Sequence, residues 1–178
     1  MNLYLRLLWQ LLFGGRRTRV PPLGPCRTPF RVLPSDLDVL LHVNNGVYLS
    51  MMDLARVDLM QRSGLMHEVN ARGWYPVVTA QTIQYRRSLK LFDRFDIVTR
   101  VLAWTDKAIL IEQRFERRGE TVAHALMRGR FLSRAGGNVT ISDLIAVAGN
   151  PAAPTDVPDY ALRWNAEQEN WQGKSAVS

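Results

Sequence analysis

A chain of 178 residues, 47% hydrophobic and 22% charged, has ordinary globular composition and is long enough for one domain with a sizeable core. Cys26 is the single cysteine, so an intrachain disulfide is excluded, which fits a reducing, intracellular compartment. The net charge of +7 is unevenly placed: Arg6, Arg16, Arg17, Arg19, Arg27 and Arg31 all precede the first acidic residue, Asp36, and the remainder carries only about +1. With a nearly neutral body, and no zinc-finger spacing, basic zipper or aromatic RNA-binding signature, nucleic acid is not an expected partner.

The opening segment places Asn2, Arg6 and Gln10 on one narrow helical stripe, with apolar residues elsewhere. Thirteen helical residues reach about 20 Å, short of the roughly 30 Å hydrocarbon core, so this amphipathic helix is too short to span a membrane. Two readings stay open for residues 1–19: peripheral contact with a membrane, assisted by Arg16, Arg17 and Arg19, or docking at a protein interface. A secretory signal is not indicated, because the positive charge follows the apolar run. The expected location is cytoplasmic, with peripheral membrane contact as the variant.

Residues 20–29, rich in Pro and Gly, read as a linker, and Phe30-Arg31-Val32-Leu33 as a short strand running into an Asp-rich turn. From Asn44 to about Arg62 the apolar residues Val47, Met51, Leu54, Val57, Leu59 and Met60 recur at helical spacing, with capping chemistry at Asn44-Asn45-Gly46 and a stop at Gly64. Four strands follow: Trp74–Tyr85, Phe95–Trp104, Ala108–Phe115 and Thr121–Leu132. Thr140–Ala148 reads as a short helix, and the chain from 150 onward, with Pro151, Pro154 and Pro158, as a loosely ordered tail. The domain proper is expected over 30–149. One strand, one long helix and four antiparallel strands make an α+β domain in which the sheet wraps the helix.

The run Asp36-Leu37-Asp38, His42-Val43-Asn44-Asn45-Gly46 and Tyr48-Leu49 resembles the entrance to the central helix in hotdog-fold thioesterases of the 4-hydroxybenzoyl-CoA thioesterase type. It is also similar to plant acyl-carrier-protein thioesterases and, most of all, to the thioesterase superfamily member six group. The resemblance covers about Pro29 to Leu132. It implies a hotdog fold, hydrolysis of an acyl-CoA or acyl-carrier-protein thioester, and a homodimer or homotetramer. No cofactor or metal is implied, and His42, His67 and His124 lack ligand spacing with Cys or acidic clusters.

Thioester hydrolysis needs a base or nucleophile on one side of the carbonyl and donors for the developing oxyanion on the other. Asp38 can supply the first, and the residue types also allow it a turn or capping role. Backbone amides around Asn45, Gly46 and Val47 at the helix entrance can supply the second, where the helix dipole favours negative charge. His42 is expected to orient Asp38 or a water, since imidazole both donates and accepts near neutral pH. The candidate catalytic set is Asp38, His42 and Asn45; Asn44, Gly46, Val47 and Tyr48 form the candidate substrate-binding set. Asp53 and Arg56 read as a structural i,i+3 pair, while Met51, Met52 and Met60 fit either an acyl tunnel or the core.

Two positions depart from the resemblance. Leu40 stands where plant acyl-carrier-protein thioesterases carry Asn, and Leu41 stands where many bacterial relatives carry Gly. Leu40 cannot donate or accept through its side chain, which leaves Asp38 and His42 to carry the reaction. It also supports an alternative, a non-hydrolytic acyl-binding or membrane-associated lipid protein on the same scaffold. A hotdog hydratase is disfavoured by the thioesterase-like helix entrance.

Overall fold

The computed structural model describes residues 17–171. Within them, β1 (Cys26–Arg31), β2 (Trp74–Tyr85), β3 (Arg94–Trp104), β4 (Ile109–Arg117) and β5 (Glu120–Ser133) form one antiparallel sheet ordered β1-β3-β4-β5-β2. Helix α1 (Asn45–Arg62) is followed by α2 (Leu65–Ala71), and α3 (Ile141–Val147) and α4 (Asp159–Trp171) follow the last strand. One long helix held against an antiparallel sheet is the hotdog arrangement. The apolar segment of residues 1–13 read above as an amphipathic helix lies outside the described residues, and no helix within them is long and apolar enough to cross a membrane.

Helix α1 starts where its capping residue sits. The Asn44 side chain accepts a hydrogen bond from the Gly46 amide at 2.8 Å, and the helix is closed by Gly64 at φ +83°, a left-handed conformation that costs glycine little. Tyr48, Met51, Met52 and Ala55 turn one face of α1 onto Phe95, Ile97, Phe115 and Ala125 of the sheet. Burial of each large apolar side chain there contributes about 1.5–3 kcal/mol. Arg56, buried on the same helix, donates to Gln113 of β4 at 2.6 Å and also pairs with Asp53, so the expected i,i+3 pair forms.

Two boundaries differ from expectation. Strand β1 begins at Cys26, inside the stretch read as a linker, because buried Cys26 and Thr28 alternate with exposed Arg27 and Pro29. Proline at 29 hides this period of two, yet it is tolerated because β1 is an edge strand that pairs with β3 alone. Thr28 and Cys26 both donate to the buried Asp58 of α1, at 2.7 and 3.7 Å. Arg17 and Arg62 reach the same carboxylate at 3.4 Å, and Arg62 also donates to the Thr18 carbonyl at 2.8 Å. Burial and the neighbouring Asp58 push the Cys26 thiol up to about 11.

The second difference is the tail, which contains helix α4. Pro151 and Pro154 break the chain, but Pro158 precedes the first turn of α4, where its missing amide costs nothing. Ala161 and Trp164 then pack on Leu102, Leu110 and Leu126 from the sheet face opposite α1. Arg128 fixes the helix further along, donating to Asn165 at 3.0 Å and Glu169 at 3.1 Å.

Candidate active site

Residues 37–43 fold into a tight loop ahead of α1. Leu37 bridges Val43, the Asp38 amide donates to the His42 carbonyl at 2.9 Å, and the Leu41 amide donates to the Asp38 carbonyl at 3.0 Å. Inside the loop, Asp38 Oδ1 accepts the backbone amides of Leu40 at 2.9 Å and His42 at 3.3 Å. Asp38 Oδ2 makes no hydrogen bond to a described residue. The carboxylate is thus held by one oxygen and free at the other.

The same loop forces Leu41 to φ +58°. Left-handed backbone suits glycine and costs other residues roughly 1–2 kcal/mol, so leucine holds this position at a cost that glycine would not carry. Val39, Leu40 and Leu41 form the tip, 96%, 71% and 70% exposed. Leu40 therefore helps to hold Asp38 through its backbone, and as a whole it stands largely exposed at the rim of the cleft that Asp38 lines.

The helix entrance is partly occupied by its own capping. The Gly46 amide is taken by the Asn44 side chain, and the Val47 and Tyr48 amides go to the Asn44 carbonyl at 2.9 and 3.4 Å. Of the amides expected to receive an oxyanion, Gly46 and Val47 are satisfied within the turn, while the Asn45 amide has no partner among the described residues. Asn44 acts as the helix cap.

Asp38, His42, Asn45 and Tyr48 line one cleft of about 310 Å³, completed by Tyr85, Arg86, Arg87 and Ser88 from the end of β2. The imidazole of His42 faces it without a hydrogen bond to any described residue. Tyr48 meets Tyr85 edge-on, with ring centroids 4.9 Å apart, and burial pushes both phenols above their ordinary range. The contribution of Tyr85 to Ser88 was not expected from sequence. Only the register of β2 on β5, with Tyr85 opposite Ala123, brings that strand end to the turn, and pairing register is a tertiary property.

A second, apolar cavity of about 190 Å³ lies toward the other end of α1, between the helix and the sheet, lined by Val57, Met60, Val77, Val101, Ile111 and Met127 among others. Met60 belongs to it, whereas Met51 and Met52 are fully buried core residues. The two spaces have no lining residue in common. Among the described residues no group of His, Cys, Asp and Glu is arranged to hold a metal ion.

The fold and the loop define a hotdog-type domain with a carboxylate at the entrance of its central helix. Residues 32–164 match the family model described as thioesterase-like superfamily. The chain is 35% identical over 149 residues to protein THEM6 of Xenopus laevis, covering 83% of this chain and 72% of that one. It is 32% identical over 103 residues to the long-chain acyl-CoA thioesterase FadM of Escherichia coli, covering 57% of this chain and 78% of that one. The solved structure of the probable thioesterase YbaW from Escherichia coli superposes with a TM-score of 0.64 at 26% identity, over 68% of this chain and 94% of that one. The chain belongs to the thioesterase-like superfamily, within its hotdog-fold members and close to the THEM6 proteins. Thioester hydrolysis is the class of activity in which it stands.

Proposed function

We propose that this chain hydrolyses an acyl-CoA or acyl-carrier-protein thioester to the free acid and thiol, with Asp38 as base or nucleophile. The observation that carries the reading is the half-engaged Asp38 carboxylate. Two backbone amides fix Oδ1, and Oδ2 is left for a water or for the thioester carbon, in a cleft shared with His42 and the start of α1. In the proposed reaction the Asn45 amide, reinforced by the helix dipole, receives the charge that develops on the carbonyl oxygen. His42 positions the attacking water or the carboxylate. As base, Asp38 takes a proton from that water as its oxygen bonds to the carbonyl carbon; collapse of the tetrahedral carbon then breaks the C–S bond, and Asp38 returns the proton to the departing sulfur, giving acid and thiol.

The alternative of a non-hydrolytic acyl-binding protein drew its support from Leu40. Backbone retention of Asp38 weakens it, because the missing side-chain amide is not required to hold the carboxylate.

We also propose that the working unit is a homodimer joined along β2. This twelve-residue strand is an edge of the sheet, and it leaves Tyr75, Val78 and Tyr85 exposed. A long exposed apolar edge invites pairing with a second copy.

The test is thiol release by the purified full chain across a series of acyl-CoA esters of increasing length, alongside the matching carrier-protein esters. Turnover above the uncatalysed rate that vanishes with Asp38→Asn supports the reading. Acyl-CoA binding without turnover in the folded wild type returns the chain to the acyl-binding alternative.

A further inference from the structure

On the sheet face opposite α1 lies an open polar groove of about 550 Å³ that the proposed hydrolysis does not use. Its floor comes from Arg100 of β3, Glu112 and Arg114 of β4, and His124 of β5, and α4 walls it with Tyr160 and Trp164. Glu112, itself buried, is the centre of the arrangement. One of its oxygens accepts from Arg100 Nε at 2.6 Å and Arg114 Nη1 at 3.3 Å. The other meets His124 Nε2 at 3.0 Å and accepts from the Tyr160 hydroxyl at 2.9 Å. Among the described residues Arg100 engages Glu112 through Nε, which leaves its terminal amines to the groove. Arg86 adds a third guanidinium; it is exposed and makes no ion pair with any described residue.

Arg86 lines this groove and also the cleft that holds Asp38 and His42. The end of β2 explains how. Ile83 packs with the α1 core and Tyr85 meets Tyr48, while Thr82, Gln84 and Arg86 alternate onto the opposite face and line the groove. Two hydrogen bonds from the Arg86 and Arg87 amides to the Val122 carbonyl, at 2.9 and 3.0 Å, fix the chain where it rounds the sheet. One molecule can therefore lie with one end at Asp38 and the other on the outer face, passing Arg86.

Three guanidiniums meet two carboxylates, Glu112 and Glu116, the latter accepting from Arg114 Nε at 3.1 Å, and the remaining positive charge, centred on Arg86, favours an anion; guanidinium geometry matches phosphate oxygens. Tyr160 and Trp164 add aromatic surface against which a planar base can pack. A thioester substrate that is reactive at one end and carries phosphates and a base at the other is an acyl ester of coenzyme A. We infer that the groove on the outer sheet face, formed by Arg86, Arg100 and Arg114 with Tyr160 and Trp164, binds the nucleotide diphosphate end of coenzyme A. The inference rests on the thioesterase reading and selects coenzyme A over a carrier protein as the thiol carrier. It also gives α4 a role in substrate binding.

The experiment uses the full chain and the variant Arg86→Glu, whose exposed, unpaired side chain makes the fold insensitive to the change. The acyl group found to turn over is presented on coenzyme A, on 4′-phosphopantetheine and on pantetheine, and binding of coenzyme A and of 3′-phosphoadenosine 5′-diphosphate is measured by calorimetry. Loss of the charge-assisted contacts should raise KM for the coenzyme A ester about tenfold or more beyond any change seen with the pantetheine ester, and weaken the nucleotide by a similar factor. Equal loss on both esters would place Arg86 at the reacting end and overturn the inference, as would unchanged kinetics and binding on the nucleotide ligands. A preference for carrier-protein esters over coenzyme A esters overturns it as well. Arg86-dependent binding of coenzyme A by a wild type that hydrolyses nothing would keep the groove assignment and remove the thioesterase reading instead.

Discussion

The Asp38 carboxylate and His42 meet through the backbone amide of His42, 3.3 Å from Oδ1, and not through the imidazole. The residue pair expected to cooperate as side chains is joined first as a turn. This fixes the carboxylate before any substrate arrives and leaves the imidazole free to face the cleft.

Replacement of Asp38 by Asn separates the structural and chemical roles. The amide oxygen of Asn can still accept from Leu40 and His42, so the melting temperature should stay close to wild type. Loss of the base or nucleophile should lower kcat by about 10²-fold or more. His42→Ala should cost less, and steady-state thiol release together with circular dichroism measures both effects.

Leu41→Gly should raise stability by up to about 1 kcal/mol, because relief of the left-handed backbone outweighs the extra freedom of glycine in the unfolded chain. Denaturant midpoints at constant m-value give the comparison. A destabilised variant would mean that the leucine side chain is covered in the working assembly.

Glu112 supplies a pH signature. Burial raises its pKa, but hydrogen bonds from His124, Arg100 and Tyr160 and the charge of Arg100 overcome this and hold it at about 2, below the ordinary 4.5. A depressed folded-state value contributes stability above the unfolded pKa, and that contribution is lost as pH falls from 4.5 toward 2. Its size is on the order of 3 kcal/mol. Thermal melts of the wild type should therefore fall over that interval, and Glu112→Gln should flatten the decline while lowering stability at neutral pH.

A dimer along β2 predicts that Val78→Lys, a charge on the pairing edge, shifts the mass in solution toward the 20.3 kDa protomer. Light scattering coupled to size exclusion reads this directly. An unchanged mass in a folded variant would move the interface elsewhere.

Peripheral membrane contact by residues 1–19 predicts salt-sensitive co-sedimentation of the full chain with anionic vesicles, lost in a chain starting at Val20. Each basic residue near such a surface contributes about 1 kcal/mol. Equal pelleting of both chains, or of neither, favours a protein interface for the segment.

The parts of the fold written in local chemistry were legible in the sequence. Asn44 and Gly64 delimit α1, and the β-branched and aromatic run from Trp74 to Tyr85 marks β2 with both ends correct. Strand β1 was misplaced because Pro29 masks the alternation of Cys26 and Thr28, whose burial depends on Asp58 from a distant helix. Helix α4 was missed because its reason to form is Leu102, Leu110 and Leu126 on the sheet, not its own composition. At the candidate site, the Asp38-to-Tyr48 stretch was readable as one segment. Arg86 and its neighbours were not, since a strand end more than forty residues further along reaches the turn only through pairing register.

The clamp of Arg62 on Thr18 and Asp58 sets a direction for the molecule. It fastens the incoming chain to the C-terminal end of α1, whereas Asp38 and Asn45 stand at the N-terminal end, about 27 Å away along eighteen helical residues. Arg17 and Thr18 are therefore held one helix length from the reacting carboxylate, and a change at Arg62 that loosens them acts on the stability of the domain without touching the cleft.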